Sequence, residues 1–204
     1  MFWNAAVAMS IAFTAAGYWL QNRTVKQHKS GEAISITWLL GGIAAAIAKI
    51  IYGESGGGWA FTVSGIVNIA FKGWLLAYVM QFRPLRRWEG SVIMFLLVLI
   101  VMMIAAPNTY ASEVRLFGLG LTWKDLSMWL IGICTFFAQK YEVKSAGTKG
   151  VFREALPFAT GASAVLMFMY CLHAGTSGPL LGYAAYIATQ VVFVRANRRA
   201  HRET

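Results

Sequence analysis

From Met1 to Gln21 the chain carries no charged residue, and from Gly90 to Val114 it carries one, Glu113. A helix rises about 1.5 Å per residue, so about 20 such residues cross the hydrocarbon core of a bilayer. The runs lack the period-two alternation of barrel strands. They are therefore read as helices of a polytopic, all-α integral membrane protein. At 58% hydrophobic and 13% charged residues, the chain is also too apolar for a soluble domain of its 204 residues.

The net charge of +10 does not point to nucleic acid, because of where the charge lies. Fourteen of the 18 Lys and Arg residues fall in four clusters: Arg23, Lys26 and Lys29; Arg83, Arg86 and Arg87; Lys140, Lys144, Lys149 and Arg153; Arg195, Arg198, Arg199 and Arg202. Each cluster adjoins a span, as the positive-inside rule requires. Contact with anionic lipid headgroups is the expected consequence. The spans run roughly Phe2–Leu20, Ile34–Tyr52, Trp59–Arg83, Ser91–Ala106, Leu126–Gln139, Ala155–Leu172 and Pro179–Val194. Between the fourth and fifth, Asn108 to Asp125 is mixed and suits the membrane surface. The clusters follow spans one, three, five and seven, which sets the N-terminus outside and the C-terminus in the cytoplasm, in a plasma or bacterial inner membrane. Met1 enters span one without a basic n-region, so no removable signal peptide is expected.

Span three carries Ser64, Asn68 and Lys72 at i, i+4 and i+8, hence on one helical face. An ionisable group inside a span is costly and by default marks a functional site. Lys72 lies about 16 Å along the helix from Arg83, too deep for easy snorkelling. Lys49, near the outer end of span two, is instead expected to reach the outer headgroups. The pair Tyr18 and Trp19 suits an interface.

A shift of about 118 residues aligns Gln21 with Gln139, Lys26 with Lys144 and Tyr52 with Tyr170, and places Asn68 on Tyr186 and Lys72 on Gln190. Both blocks read span, basic loop, span, short glycine-rich turn, span, basic end. Seven transmembrane helices are expected as two parallel three-helix repeats, residues 1–83 and 126–204, joined by a linker helix in 84–125. Such a pair encloses a central pathway, with span four free to face lipid or a neighbouring subunit; a dimer or trimer is allowed but not demanded.

The run Leu20 to Gly53, LQNRTVKQHKSGEAISITWLLGGIAAAIAKIIYG, resembles the PQ-loop segment of the SWEET and SemiSWEET sugar facilitators. Lys29, Ser30, Ile34, Ser35, Tyr52 and Gly53 stand close to the family's pattern, and Asn68 matches its substrate-contacting asparagine. The resemblance implies a membrane facilitator of a small polar solute, sugar-like or another small organic molecule, working by alternating access. Gln21 and Gln139 would close the cytoplasmic side. The Pro-Gln pair stands here as Leu20-Gln21 and Ala138-Gln139, and Lys72 has no place in the sugar-binding pattern. The chain also resembles the PnuC-type vitamin transporters, through Asn68 to Trp74. A non-transporting receptor or assembly factor on the same fold is the alternative from another class.

Asn68, Lys72, Ser64, Tyr186, Gln190 and Trp74 are thus the expected substrate-binding residues. No cofactor and no metal are expected: Cys134 and Cys171 fit no metal or disulfide spacing. Gly56 to Gly58 lacks the lysine of a phosphate-binding loop. No set of spans carries paired carboxylates or a Cys/His arrangement, so no enzymatic activity is expected.

Overall fold

The structure is a computed structural model, and it describes residues 2–53, 58–105, 113–116, 119–146, 154–175 and 177–200. Residues 54–57 of the glycine-rich turn expected on the outside, Pro107, Lys149, Arg153 and Arg202 lie outside the described residues. The described residues form seven α-helices and one hairpin: α1 (Phe2–His28), α2 (Ile36–Tyr52), α3 (Trp59–Phe82), α4 (Arg87–Ala105), β1 (Glu113–Leu116), β2 (Leu119–Thr122), α5 (Trp123–Ala146), α6 (Ala155–Ala174) and α7 (Ser177–Ala200).

Three helices outrun the apolar spans that announce them. α1 continues to His28, α5 runs from Trp123 to Ala146, and α7 reaches Ala200. Hydropathy reports only the part of a helix inside hydrocarbon. Lys, Arg, Gln and Glu are good helix formers, so the helix persists beyond it. Elsewhere the local chemistry sets the ends. Ser35 caps α2, its Oγ accepting from the Trp38 N–H. Arg83, before Pro84, is extended at φ −139° and ends α3. Gly175 takes the left-handed φ of +68° at the end of α6, its N–H bonded to the Cys171 and Leu172 carbonyls. In the mixed stretch, β1 and β2 pair antiparallel, Glu113 opposite Thr122.

The helices pack as a ring. α3 lies between α1 and α2, and α7 lies between α5 and α6. α1 packs against α6, and α2 against α5, which closes the ring as α1, α3, α2, α5, α7, α6. Exchanging α1 with α5, α2 with α6 and α3 with α7 leaves that order unchanged. α4 stands outside, packed on α2. Glycines bring the helices together where the ring closes. A Cβ on Gly17 would lie 2.8 Å from Cβ of Ala159, and one on Gly41 would overlap Thr135. Small residues at such crossings allow the backbone approach on which helix association in a membrane depends.

The outside of the ring is apolar. On α4, Met94, Phe95, Val98 and Val101 are all more than half exposed, and Ile66, Leu130 and Phe158 continue the pattern on α3, α5 and α6. A soluble monomer rarely leaves so much contiguous apolar surface in water. α3 and α6 are each long and apolar enough to cross a bilayer unaided, with mean hydropathies of 1.5 and 1.7. This outer surface suits hydrocarbon, and the molecule's polar chemistry is turned inward.

Candidate functional site

Inside the ring is a cavity of about 480 Å³, lined by all six ring helices. α2 and α3 contribute its charge, Lys49 and Lys72. Thr14 of α1, Thr135 of α5, Thr160 and Ser163 of α6 and Thr189 of α7 contribute hydroxyls. Trp38, Phe61, Phe136, Tyr183, Tyr186 and Phe193 give the walls their aromatic area.

Lys72 is buried, and its Nζ donates to the Gly42 carbonyl of α2 at 3.2 Å. It also stands 5.9 Å from the ring centre of Tyr18 on α1, within cation–π range. Gly42 makes this possible, since a Cβ there would lie 2.5 Å from the ammonium nitrogen. Tyr18 is fully buried, so of the expected interface pair only Trp19 is exposed. Lys49 also departs from expectation. It lines the cavity, with its Nζ 4.7 Å from the ring centre of Tyr183 on α7. Among the described residues neither lysine makes an ion pair.

The other expected site residues divide. Asn68 and Tyr186 line the cavity with Lys72. Ser64 is buried off the lining, and its carbonyl accepts from Asn68 Nδ2 at 2.8 Å. Gln190 is also buried behind the wall; its Oε1 lies 3.2 Å from the hydroxyl of Thr160, a lining residue, and that hydroxyl lies closer, at 2.8 Å, to the Leu156 carbonyl of its own helix. Trp74 is 42% exposed beside Phe71 and Tyr78 and is not part of the lining. It lies one position beyond Gly73 and two beyond Lys72, and about 100° of helical turn per residue carries it off the polar face.

The basic end of the ring is held by polar contacts between distant segments. Gln139 of α5 is fully buried; its Oε1 accepts from the Ser35 N–H at 2.8 Å, and its Nε2 donates to the Ala33 carbonyl at 2.7 Å. Ala33 has φ +66°, a left-handed conformation costing a residue with a Cβ about 1–2 kcal/mol. Gln21, its counterpart on α1, is likewise fully buried. Beside this clamp the Arg83 guanidinium donates twice to Glu89, at 2.8 and 3.1 Å, and once to Glu142, at 3.0 Å. Arg86 donates to the same Glu142 oxygen at 2.8 Å. Glu89 also accepts from the Arg86 N–H, as a third-position glutamate does in a capping box.

The cluster of Arg83, Arg86 and Arg87 was expected to face lipid headgroups. Arg83 instead turns inward, 7% exposed, onto two carboxylates that are 0% and 1% exposed. Spacing could not announce this, because Glu142 lies fifty-nine residues from Arg83. The only hint was a pair of acids inside otherwise basic loops.

No protein-family model matches the chain, and no curated protein matches it in sequence. Among solved structures it is similar to a eukaryotic SWEET transporter determined at 3.7 Å resolution. The two are 12% identical; the match covers 98% of this chain and 97% of that one, with a TM-score of 0.57. At that identity the likeness is one of fold. The chain has the seven-helix fold of a SWEET transporter, with the match covering 98% of its length.

Proposed function

We propose that the protein is a multi-pass membrane facilitator of a small polar solute. Its site is the central cavity, exposed to one side of the membrane and then the other. The moving bodies are two three-helix repeats, α1–α3 and α5–α7, with residues 84–125 as the connector. The observation that carries this is the closed ring, unchanged by exchange of its halves, around a space of about 480 Å³. That volume lies in the range of small-molecule sites.

Asn68, Lys72 and Tyr186 meet the solute in this scheme, with Gln190 packed behind Thr160. The Gln139 clamp and the ion pairs of Glu142 form the gate on the basic end. Under the positive-inside rule that end is cytoplasmic. Release to the cytoplasm requires those contacts to part, because they tie α5 to the α1–α2 loop and to the end of α3. A eukaryotic SWEET transporter of the same fold supports transport as the use of the cavity.

Uptake into proteoliposomes tests the assignment. A panel of sugars, nucleosides and organic anions should contain at least one solute taken up saturably and also in exchange. If the whole panel yields neither uptake nor thermal stabilisation of the folded protein, the facilitator assignment is wrong and a receptor on this fold takes its place.

A further inference from the structure

We propose, resting on the facilitator role above, that the solute is a small organic anion. Its carboxylate or phosphate lies between Lys49 and Lys72, and its body lies against the aromatic and hydroxyl wall of the second repeat.

Two lysines enter one largely apolar cavity, and no Asp or Glu is among its lining residues. Removing an ammonium from water without an anionic partner costs several kcal/mol in a real protein, and two like charges in one cavity add repulsion. What the lysines do have is weak compensation. Lys72 uses one of its three N–H donors on the Gly42 carbonyl, and each lysine has one tyrosine face. The remaining donors are available to a ligand in the cavity.

The charge is also one-sided. Both lysines come from α2 and α3, whereas Thr160, Ser163 and Thr189 come from α6 and α7. A solute with an anionic head and a hydroxyl-bearing or aromatic body would therefore bridge the two halves of the ring. Water occupies about 30 Å³ per molecule in the liquid, so the cavity has room for a body of many heavy atoms. A neutral sugar would fit by size, but it would leave both charges unopposed.

The test compares hydroxyphenylacetate and phenyl phosphate with neutral hydroxyphenylacetamide and glucose. The protein is assayed in proteoliposomes under an imposed potential and in detergent by calorimetry. One or both anions should bind saturably and enter faster when the vesicle interior is positive, and the neutral probes should do neither. Lys72→Gln and Lys49→Gln should each weaken anion binding about thirtyfold, as loss of one buried charge partner does. Lys72→Arg should restore part of it. Saturable uptake of glucose or the amide, indifferent to potential and intact in Lys72→Gln, overturns the anion proposal and leaves the facilitator standing. Failure of all four probes to bind or move overturns the anion proposal, and the wider solute panel then decides the facilitator separately. If a glutamine variant does not fold, the potential dependence of the unaltered protein decides alone.

Discussion

The carbonyl oxygen of Gly42 lies 3.2 Å from the ammonium of Lys72, and the absence of a side chain at Gly42 is what permits it. A Cβ at that position would stand 2.5 Å from Nζ, 2.9 Å from Cε and 3.0 Å from Cδ. All three are atoms of one flexible chain, so Gly42→Ala should be accommodated by moving the lysine rather than the helices. The expected cost is at the low end for overpacking, about 1 kcal/mol. The distinctive readout is coupling. In a Lys72→Ala background the same Gly42→Ala change should cost little or nothing, measured by thermal unfolding in detergent. Additive effects would mean that Gly42 is there for some other contact.

Glu142 should be a costly position at the basic end. It is 1% exposed and accepts from both Arg83 and Arg86. Removing one partner of a buried ion pair leaves an uncompensated charge, a loss of about 3–5 kcal/mol. Glu142→Gln keeps the shape and removes the charge, so it should fall near the lower figure. If this contact is a gate, the same change should also open the basic end. A cysteine replacing the buried Val25, in a chain whose Cys134 and Cys171 are alanine, should then react faster with a membrane-impermeant maleimide applied to that side. Arg198, paired with Glu154 at 55% exposure, is the control. Its loss should change stability by no more than about 1 kcal/mol.

Gln139→Leu should destabilise for a different reason. The leucine is of similar size but can neither accept from the Ser35 N–H nor donate to the Ala33 carbonyl. Each buried group left unpaired costs about 1–3 kcal/mol. Gln139→Glu is the contrast: its carboxylate still accepts from Ser35 but sets a buried charge against the Ala33 carbonyl, and on protonation its hydroxyl can donate there instead. Unfolding temperatures should therefore rank the parent above both variants, with the loss in Gln139→Glu shrinking as the pH falls and the loss in Gln139→Leu, relative to the parent, unchanged by pH. A loss in Gln139→Glu that is indifferent to pH would remove the Ala33 carbonyl from the account.

These contrasts mark where the chain could be read directly. The order of spans and the polar face of α3 follow from spacing alone, since helical period fixes which residues share a face. Asn68 and Lys72 were legible for that reason. Lys49 was not, because a lysine near a helix end reads the same whether it faces headgroups or a cavity; the rotation of α2 decides, and α3 and α5 set that rotation by packing on it. Trp74, near the polar face in sequence, lies outside the cavity lining, because two residues of helical turn separate it from Lys72. The Arg83, Glu89 and Glu142 contacts were hidden by the positive-inside pattern, which accounts for an arginine beside a span without asking whether it turns inward. Gln139 was legible as a position in a motif, but not its partners, which lie more than one hundred residues away.

The seam between α1 and α6 allows packing to be weighed against hydrogen bonding in one place. Ser10 and Thr14 both bond to the hydroxyl of Ser163, each at 2.8 Å, and Ser10 also reaches the Ser163 carbonyl at 3.1 Å. One helical turn further on, Gly17 admits Ala159 and Leu156. Side-chain hydrogen bonds between membrane helices average about 0.6 kcal/mol, because the separated helices find other partners. Ser163→Ala, which spares the carbonyl bond, should therefore lose only about 1 kcal/mol. Gly17→Ala adds a methyl 2.8 Å from Cβ of Ala159, which has no rotamer to turn aside, so the helix backbones must separate. Overpacking of that kind costs about 1–3 kcal/mol. It would also loosen the three hydroxyl contacts just along the seam. Gly17→Ala should accordingly be the more damaging substitution, and the two together should cost less than their sum. Thermal unfolding of the two single variants and the double variant checks both statements. A larger loss in Ser163→Ala would mean that hydrogen bonding, rather than close backbone approach, holds the two halves of the ring together at this seam.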